Sequence, residues 1–508
     1  MSENKGSLAD KVTVVVFSRI LTALIDWSII VIIVNLISET EFAILSTLLI
    51  VYEVAKNIAT LGFPESIFYY FEKLSKSYRR AFAFQTTAIL FITATLAAIG
   101  IVAFKFFVPE LLTEFKPESI KVIQDLLPYI AVIVVFEIPT WPVNNILLAL
   151  GRQKEAGWYQ ILTSLLSFSA VVVPLLLGYS LSIVIFGLLS YSIIRFLGSF
   201  IWVSLVIPEG PLKTKHTSIR DQVNFSIPLG ISSLVSQFNK SIDKIIVITF
   251  FGEILVANYN VGANEIPILR VIPFAVGSVL ISRYVGFQLN SKFKDLIELW
   301  HKSIEKVAIL IIPLVIISVV LAKEIIPILY ETEGTDYARA VLPFQIYNLI
   351  TLIRVAHYGS ALQAFGDTKG ILNLSISLLI LNIIFSVPAT YFFGITGTAA
   401  GTLAANIINW FFTLRKIGTH LDVPFYEVLP IKKYCKIVVL SLVIAIPVYF
   451  VKEMSVMTEF TPGTIFMYSA TAYIAVYLLL GSVFKLITRS DWKNFLNAIT
   501  LKFFWAKN

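Results

Sequence analysis

Twelve ionisable side chains stand near the middle of apolar runs long enough to cross a bilayer: Arg19, Asp26, Glu53, Lys56, Glu137, Arg195, Lys240, Asp243, Lys244, Glu265, Arg270 and Arg354. His357 follows one helical turn beyond the last. An ionisable group at the bilayer centre costs about 2.5 to 3.5 kcal/mol on insertion scales, so a dozen facing lipid would cost roughly 30 kcal/mol. They must line an interior or pair with one another. The cations Arg19, Lys56, Lys240, Arg270 and Arg354 carry the N–H donors that hold an anionic group once its water is stripped away. Asp26, Glu53, Asp243, Glu265 and His357 are suited to coupling, because carboxylates and imidazole exchange protons and carboxylates hold small cations. Glu53 with Lys56, and Lys240 with Asp243, also have the spacing of intrahelical pairs that serve folding alone. Arg195 stands alone in its run. Glu137, in Glu-Ile-Pro-Thr-Trp-Pro142, is placed to satisfy backbone groups freed by the two prolines. No metal-ligand spacing, phosphate-binding glycine loop or nucleophile triad is present, so no enzyme activity, metal or cofactor is expected beyond a coupling H+ or Na+.

The elements that carry these residues are apolar spans. Of the 508 residues 57% are hydrophobic and 14% charged, and the mean hydropathy is +0.83, far from a soluble composition. A spanning helix needs about 20 mostly apolar residues. The sequence supplies about 14 such spans, at 12–36, 42–71, 81–107, 121–150, 158–178, 182–206, 221–250, 254–289, 302–322, 338–365, 370–392, 395–417, 434–451 and 463–487. The expected fold is therefore an all-α polytopic membrane protein. The start of the chain lacks a cleavable signal pattern, and the first run is long enough to remain as helix 1. Of the 40 Lys and Arg, 25 fall in loops on the side of the termini and six in the opposite loops. This bias puts both termini in the cytoplasm and the protein in the cell membrane. The basic loops flank apolar spans, so anionic lipid rather than nucleic acid is the expected partner of the net charge of +8. A single cysteine, Cys435, excludes an intramolecular disulfide.

The chain also matches itself at a shift near 215 residues. Ala149-Leu-Gly-Arg-Gln-Lys154 aligns with Ala364-Phe-Gly-Asp-Thr-Lys369, Pro174 with Pro388, and Lys56 with Arg270. A repeat of six spans keeps both copies in one orientation. The expectation is two pseudo-symmetric six-helix lobes around a central cavity, at 1–206 and 221–417, joined by a cytoplasmic linker 207–220. Two further helices and a cytoplasmic tail occupy 418–508. Arg19 and Asp26 share one face of span 1, and Ser233, Gln237, Lys240 or Ser241, and Lys244 form a stripe along span 7. Pro267 and Pro273 bracket Arg270, making span 8 the candidate for a helix that bends.

Phe225-Ser-Ile-Pro-Leu-Gly-Ile-Ser-Ser-Leu-Val-Ser-Gln-Phe-Asn-Lys-Ser-Ile-Asp-Lys244, Ala257-Asn-Tyr-Asn-Val261 and the paired Ala-Leu-Gly-Arg and Ala-Phe-Gly-Asp turns carry a resemblance over essentially the whole chain. The sequence resembles the Wzx-like oligosaccharide flippases of the polysaccharide transporter family, in the MOP superfamily that also holds lipid II flippases and MATE exporters. The resemblance implies alternating access that moves a polyprenyl-diphosphate-linked oligosaccharide to the outer leaflet, coupled in many members to a proton or sodium gradient. It also implies that Arg19, Lys56 and Arg270 hold the diphosphate and that the last two helices form a lipid-tail groove. Polysaccharide polymerase machinery is an expected partner. Asp26 and Glu53 lower the positive charge of such a cavity, and leave open a MATE-like cation exporter or a lipid II flippase. An O-antigen polymerase or lipid-linked glycosyltransferase would need a large outer loop or a clustered acidic motif, and neither is present.

Overall fold

The computed structural model describes residues 8–207, 210–211, 218–332, 334–454, 460–489 and 492. The expected linker and C-terminal tail fall largely outside them. The described residues form α-helices joined by turns and short 3-10 segments, with no strand among them. In chain order the helices are α1 (Leu8–Leu36), α2 (Glu39–Thr60), α3 (Phe63–Lys73), α4 (Arg79–Phe104), α5 (Val108–Leu111), α6 (Pro117–Glu137), α7 (Pro142–Ala149), α8 (Gln153–Leu176), α9 (Leu181–Val206) and α10 (Ile219–Phe250). They continue as α11 (Glu253–Gly262), α12 (Pro267–Leu289), α13 (Phe293–Val320), α14 (Ala322–Tyr330), α15 (Val341–Ile353), α16 (Tyr358–Ala364), α17 (Thr368–Leu421), α18 (Ile431–Lys452) and α19 (Pro462–Val483). Among the described residues, nine helical segments are by themselves long and apolar enough to cross a bilayer. The expected count of 14 is higher because charged or interrupted segments such as α10, α12 and α15 with α16 do not qualify on length and hydropathy alone, and because α17 counts once.

Local sequence explains the interruptions. Span 2 divides where Leu61 and Gly62 adopt left-handed backbone (φ 38° and 74°) and Pro64 restarts the helix as α3. Span 4 gives way to a 3-10 turn at Ile138–Thr140, where Pro139 and Pro142 cannot donate to the preceding turn. Span 8 is not one helix: α11 ends at Gly262 and α12 begins at Pro267, with Ile266 extended as residues before proline prefer to be. The continuous span 10 is likewise corrected, since Arg354 to His357 separate α15 from α16. Carbonyls opened at this break are met by tyrosines, Tyr358 donating to Ile353 O at 3.0 Å and Tyr434 to Leu352 O at 2.7 Å. A continuous 54-residue α17 would be about 80 Å long, far more than a bilayer. Gly394 (φ 64°, ψ −150°) breaks it into two spans. Gly397 and Gly401 then bring the second half against the first, where Thr390 and Thr398 hydroxyls meet at 2.8 Å and Asn382 accepts from Ser386 at 2.7 Å.

The internal repeat has a local geometric counterpart. Gly151 (φ 75°) and Gly366 (φ 70°) each end a helix in the same paired hydrogen-bond motif. Gly151 N donates to Leu148 O and Arg152 N to Leu147 O; Gly366 N donates to Gln363 O and Asp367 N to Leu362 O. The partners correspond one for one at the shift of the repeat.

Contacts divide the chain into two compact units. The first comprises Met1–Ala263, Tyr330–Pro343 and Leu372–Ala405, and the second Asn264–Leu329, Phe344–Ile371 and Asn406–Asn508. In the first unit, Phe71, Phe82, Ile146, Leu147 and Tyr159 build a core under α3, α4, α7 and α8. The helices α10 and α11, which the repeat assigns to the second lobe, pack on α2 and α3 in this unit. Buried Gln222 of α10 donates to Ser66 at 3.1 Å and Thr86 at 2.7 Å while accepting from Gln85 at 2.9 Å, a network in which the amide is satisfied on both sides. In the second unit α13 packs on α18. Lys452, expected in an outer loop, instead closes α18 and is buried against Glu324 at 2.8 Å.

Candidate functional site

Between α1, α2, α7, α8 and α9 the first unit forms a half-open cavity of about 720 Å³ whose otherwise largely apolar lining carries six charged side chains. Each of its two cations has a carboxylate partner. On α2, Lys56 pairs with Glu53, the helical neighbour that the sequence offers as a folding pair. The Lys56 ammonium also lies 4.8 Å from the Trp141 ring centroid and 5.4 Å from that of Tyr52. From α9, Arg195 Nη1 donates to Glu137 at 2.7 Å and to Tyr191 Oη at 2.9 Å, with its guanidinium 5.8 Å from the Trp141 centroid. Both members of this pair are nearly buried, with side chains 13% and 12% exposed. Glu137 is thus the counter-charge of Arg195, which is not alone. Asp26, from α1, accepts from Ser164 Oγ at 2.9 Å.

Further along the wall, Thr22 Oγ1, Trp141 Nε1, Asn144 Oδ1 and Arg195 Nε are buried and make no hydrogen bond. The cavity is lined by four carboxylates, Asp26, Glu53, Glu65 and Glu137, against two cations, Lys56 and Arg195. Trp141 sits where it does because Pro139 and Pro142 break the helix around it.

The second unit holds another cluster, built on two helix interruptions. Glu265 lies in the gap between α11 and α12, and Arg354 in the gap between α15 and α16. They pair at 3.0 Å, and Arg354 also donates to Asn406 Oδ1 at 2.9 Å. His357, in the same gap as Arg354, contacts Ser360 through Nδ1 and meets Phe274 edge to face with centroids 4.9 Å apart. Gly277 makes room for it: a Cβ there would lie 2.6 Å from His357 Cβ. Arg354 and His357 thus share a loop, not a helix face.

The remaining expected residues are dispersed. Asp243 of α10 is buried and accepts from Tyr259 Oη at 3.0 Å. Lys240 on α10 and Arg270 on α12 are exposed. Arg19 belongs to α1, and its side chain lies outside the described part of the structure, as does that of Ser233 in the expected stripe on α10. Sequence reading missed the Glu137–Arg195 couple, Trp141, Asn144 and Thr22. Opposite charges in the middle of spans 4 and 6 were the available signal for the couple; nothing in the pattern singled out the neutral residues.

Residues 8–281 match the model of a family described as polysaccharide biosynthesis protein. An uncharacterised membrane protein encoded in the cps region of Klebsiella pneumoniae is 27% identical over 286 residues, which are 52% of this chain and 56% of that one. The chain spans about half the length of such relatives, 49% for an uncharacterised membrane protein of Methanocaldococcus jannaschii. Among solved structures, the lipid II flippase MurJ in an inward closed conformation aligns over 92% of this chain and 97% of that one, with a TM-score of 0.70 and 19% identity. An inward-facing multidrug resistance MATE family transporter of the MOP superfamily aligns over 78% and 95%, with a TM-score of 0.59 and 14% identity. The fold is that of MOP superfamily transporters.

Proposed function

Since the chain belongs to the polysaccharide biosynthesis protein family, we propose that it is a flippase carrying a polyprenyl-diphosphate-linked oligosaccharide from the cytoplasmic to the outer leaflet by alternating access. The observation that carries this reading is the half-open cavity of about 720 Å³, with six charged side chains in its lining, held among apolar membrane helices. All of its lining residues fall within the family match over 8–281. A transporter has reason to keep such a cavity, because burying paired charges in a membrane rarely stabilises a fold over apolar packing.

The cargo divides chemically between sugar and diphosphate. A diphosphate needs cations whose charge is not already balanced. Lys56 and Arg354 have carboxylate partners, so exposed Arg270 is the first candidate for diphosphate contacts, and Arg19 and Lys240 are assigned to the same role from the sequence pattern alone. Coupling to H+ or Na+ is assigned to the carboxylates and His357. Glu265 is the leading candidate: its protonation would free Arg354 and loosen the tie between two interrupted helices, the type of element at which transporters bend. Asp26, Glu53 and Asp243 are the other coupling candidates. Anionic lipid at the cytoplasmic loops and polymerase machinery are the proposed partners.

One observation favours a second reading: four carboxylates against two cations around the cavity suit an organic cation, as in a MATE-like exporter. The test is translocation of a fluorescent lipid-linked oligosaccharide by Arg19→Ala and Arg270→Ala proteins at matched levels in vesicles. Loss of translocation in both supports the flippase assignment of these cations, and near wild-type rates in both overturn it.

A further inference from the structure

We propose that the cavity of the first unit is a saccharide subsite, which receives the sugar portion of the cargo and excludes its diphosphate. This rests on the flippase reading and deepens it.

Charge decides what the cavity rejects. Its two cations, Lys56 and Arg195, are neutralised by Glu53 and Glu137, and both are further engaged at the ring of Trp141. Asp26 and Glu65 add two more carboxylates to the wall. A diphosphate entering here would meet an excess of negative charge in a medium of low dielectric, where like-charge repulsion is strong. It would gain cations only by breaking pairs already made.

Hydrogen bonding decides what the cavity accepts. Thr22 Oγ1, Trp141 Nε1, Asn144 Oδ1 and Arg195 Nε are buried without partners. They include donors and acceptors, as a molecule whose hydroxyls both give and take hydrogen bonds requires. A buried polar atom without a partner forfeits its hydration, and four such atoms, from α1, the turn before α7, α7 and α9, line this one cavity, where a guest can complete the bonding. Carboxylates that are held fixed accept from neighbouring hydroxyls without demanding charge in return. The cavity volume of about 720 Å³ lies in the range of ordinary small-molecule sites, about 300 to 1,000 Å³. A few sugar rings, not a whole polymer, would be read there.

The test uses the purified full-length protein in nanodiscs and two probes: undecaprenyl diphosphate, and the lipid-linked oligosaccharide pool extracted from the source cells. Binding of each is measured for wild type, Asn144→Ala, Trp141→Phe and Arg270→Ala. Trp141→Phe removes the indole N–H but keeps an aromatic body, which guards against loss of folding, and monodispersity is checked for every variant. Losing one or two hydrogen bonds to sugar should weaken binding of the oligosaccharide by about tenfold in Asn144→Ala and Trp141→Phe, with undecaprenyl diphosphate unaffected. Arg270→Ala should weaken both probes. Equal weakening of both probes by the cavity variants, or no effect on either, overturns the saccharide subsite while leaving the flippase reading standing. Failure of the wild type to bind either probe, with an organic dye cation bound instead, refutes the flippase reading itself.

Discussion

Removing the carboxylate from Glu137 should damage the protein more than removing both members of its ion pair. Arg195 reaches Glu137 at 2.7 Å with the two side chains only 13% and 12% exposed, so a Glu137→Gln protein retains a nearly buried guanidinium without its counter-charge. Breaking a buried pair from one side costs about 3 to 5 kcal/mol. Here the Tyr191 hydroxyl at 2.9 Å and the Trp141 ring remain with Arg195, which places the expected loss near the lower end, about 3 kcal/mol. Arg195→Met leaves Glu137 uncompensated and should cost a similar amount. The Glu137→Gln/Arg195→Met double variant strands no charge and should recover most of the loss, for a coupling of about 2 kcal/mol or more. Thermal unfolding of detergent-purified proteins, followed by intrinsic fluorescence across the four members of the cycle, measures this. Single variants as stable as wild type, or a double variant whose loss equals the sum of the singles, would refute the account of the cavity charges as mutually neutralised.

Three further outcomes follow from other parts of the structure. Gly151→Ala and Gly366→Ala should each cost about 1 kcal/mol, because both glycines have φ near +70° while an added Cβ meets nothing within 4 Å; asparagine at either site should cost less, and equal stability of the alanine variants in unfolding experiments would contradict the turn assignment. At the turn after α16, a hydrogen bond from His420, together with Gly370 N–H and Lys416, holds the Asp367 carboxyl at about 2 against an ordinary 3.8. A depressed folded-state value contributes stability that is present above about pH 4 and is lost as pH falls toward 2, so Asp367→Asn should flatten the acid limb of the stability profile, and an unchanged limb would refute it. Cysteines placed at Ser77 and Thr335 in a Cys435→Ser background should react with an impermeant maleimide from opposite sides of the membrane, the Thr335 side being external, and external labelling of both in intact cells would overturn the orientation.

Membrane character and much of the helical pattern were legible in the sequence because apolar runs of about 20 residues have few alternatives in lipid. The turns at Gly151 and Gly366 were legible for a related reason: a left-handed helix end favours glycine so strongly that the motif survives in both copies. The interruptions were written in the chain but less audible. Pro267 marked span 8 as a helix that bends, though not as two helices, whereas the break at Arg354 to His357 depends on hydroxyls from Tyr358 and Tyr434, the second of them 82 residues away from its acceptor. The site followed the same rule. Glu53 and Lys56 could be paired from their spacing on one helix, but Glu137 and Arg195 are 58 residues apart and no periodicity links them. Trp141, Asn144 and Thr22 carry no charge to betray them, and only the folded cavity shows that their polar atoms lack partners. Lys452 shows the converse, since a lysine beside a loop reads as solvated until its partner Glu324 is found.

The most direct test of the central claim is translocation by the wild-type protein in vesicles. With a fluorescent lipid-linked oligosaccharide incorporated, arrival in the opposite leaflet is followed by a membrane-impermeant quencher, with and without H+ or Na+ gradients, beside a parallel assay of dye-cation uptake. A flippase should deliver the lipid-linked oligosaccharide well above protein-free vesicles, faster under one of the gradients, and leave the dye where it was. Monodisperse protein that moves the dye cation but not the oligosaccharide would contradict the account.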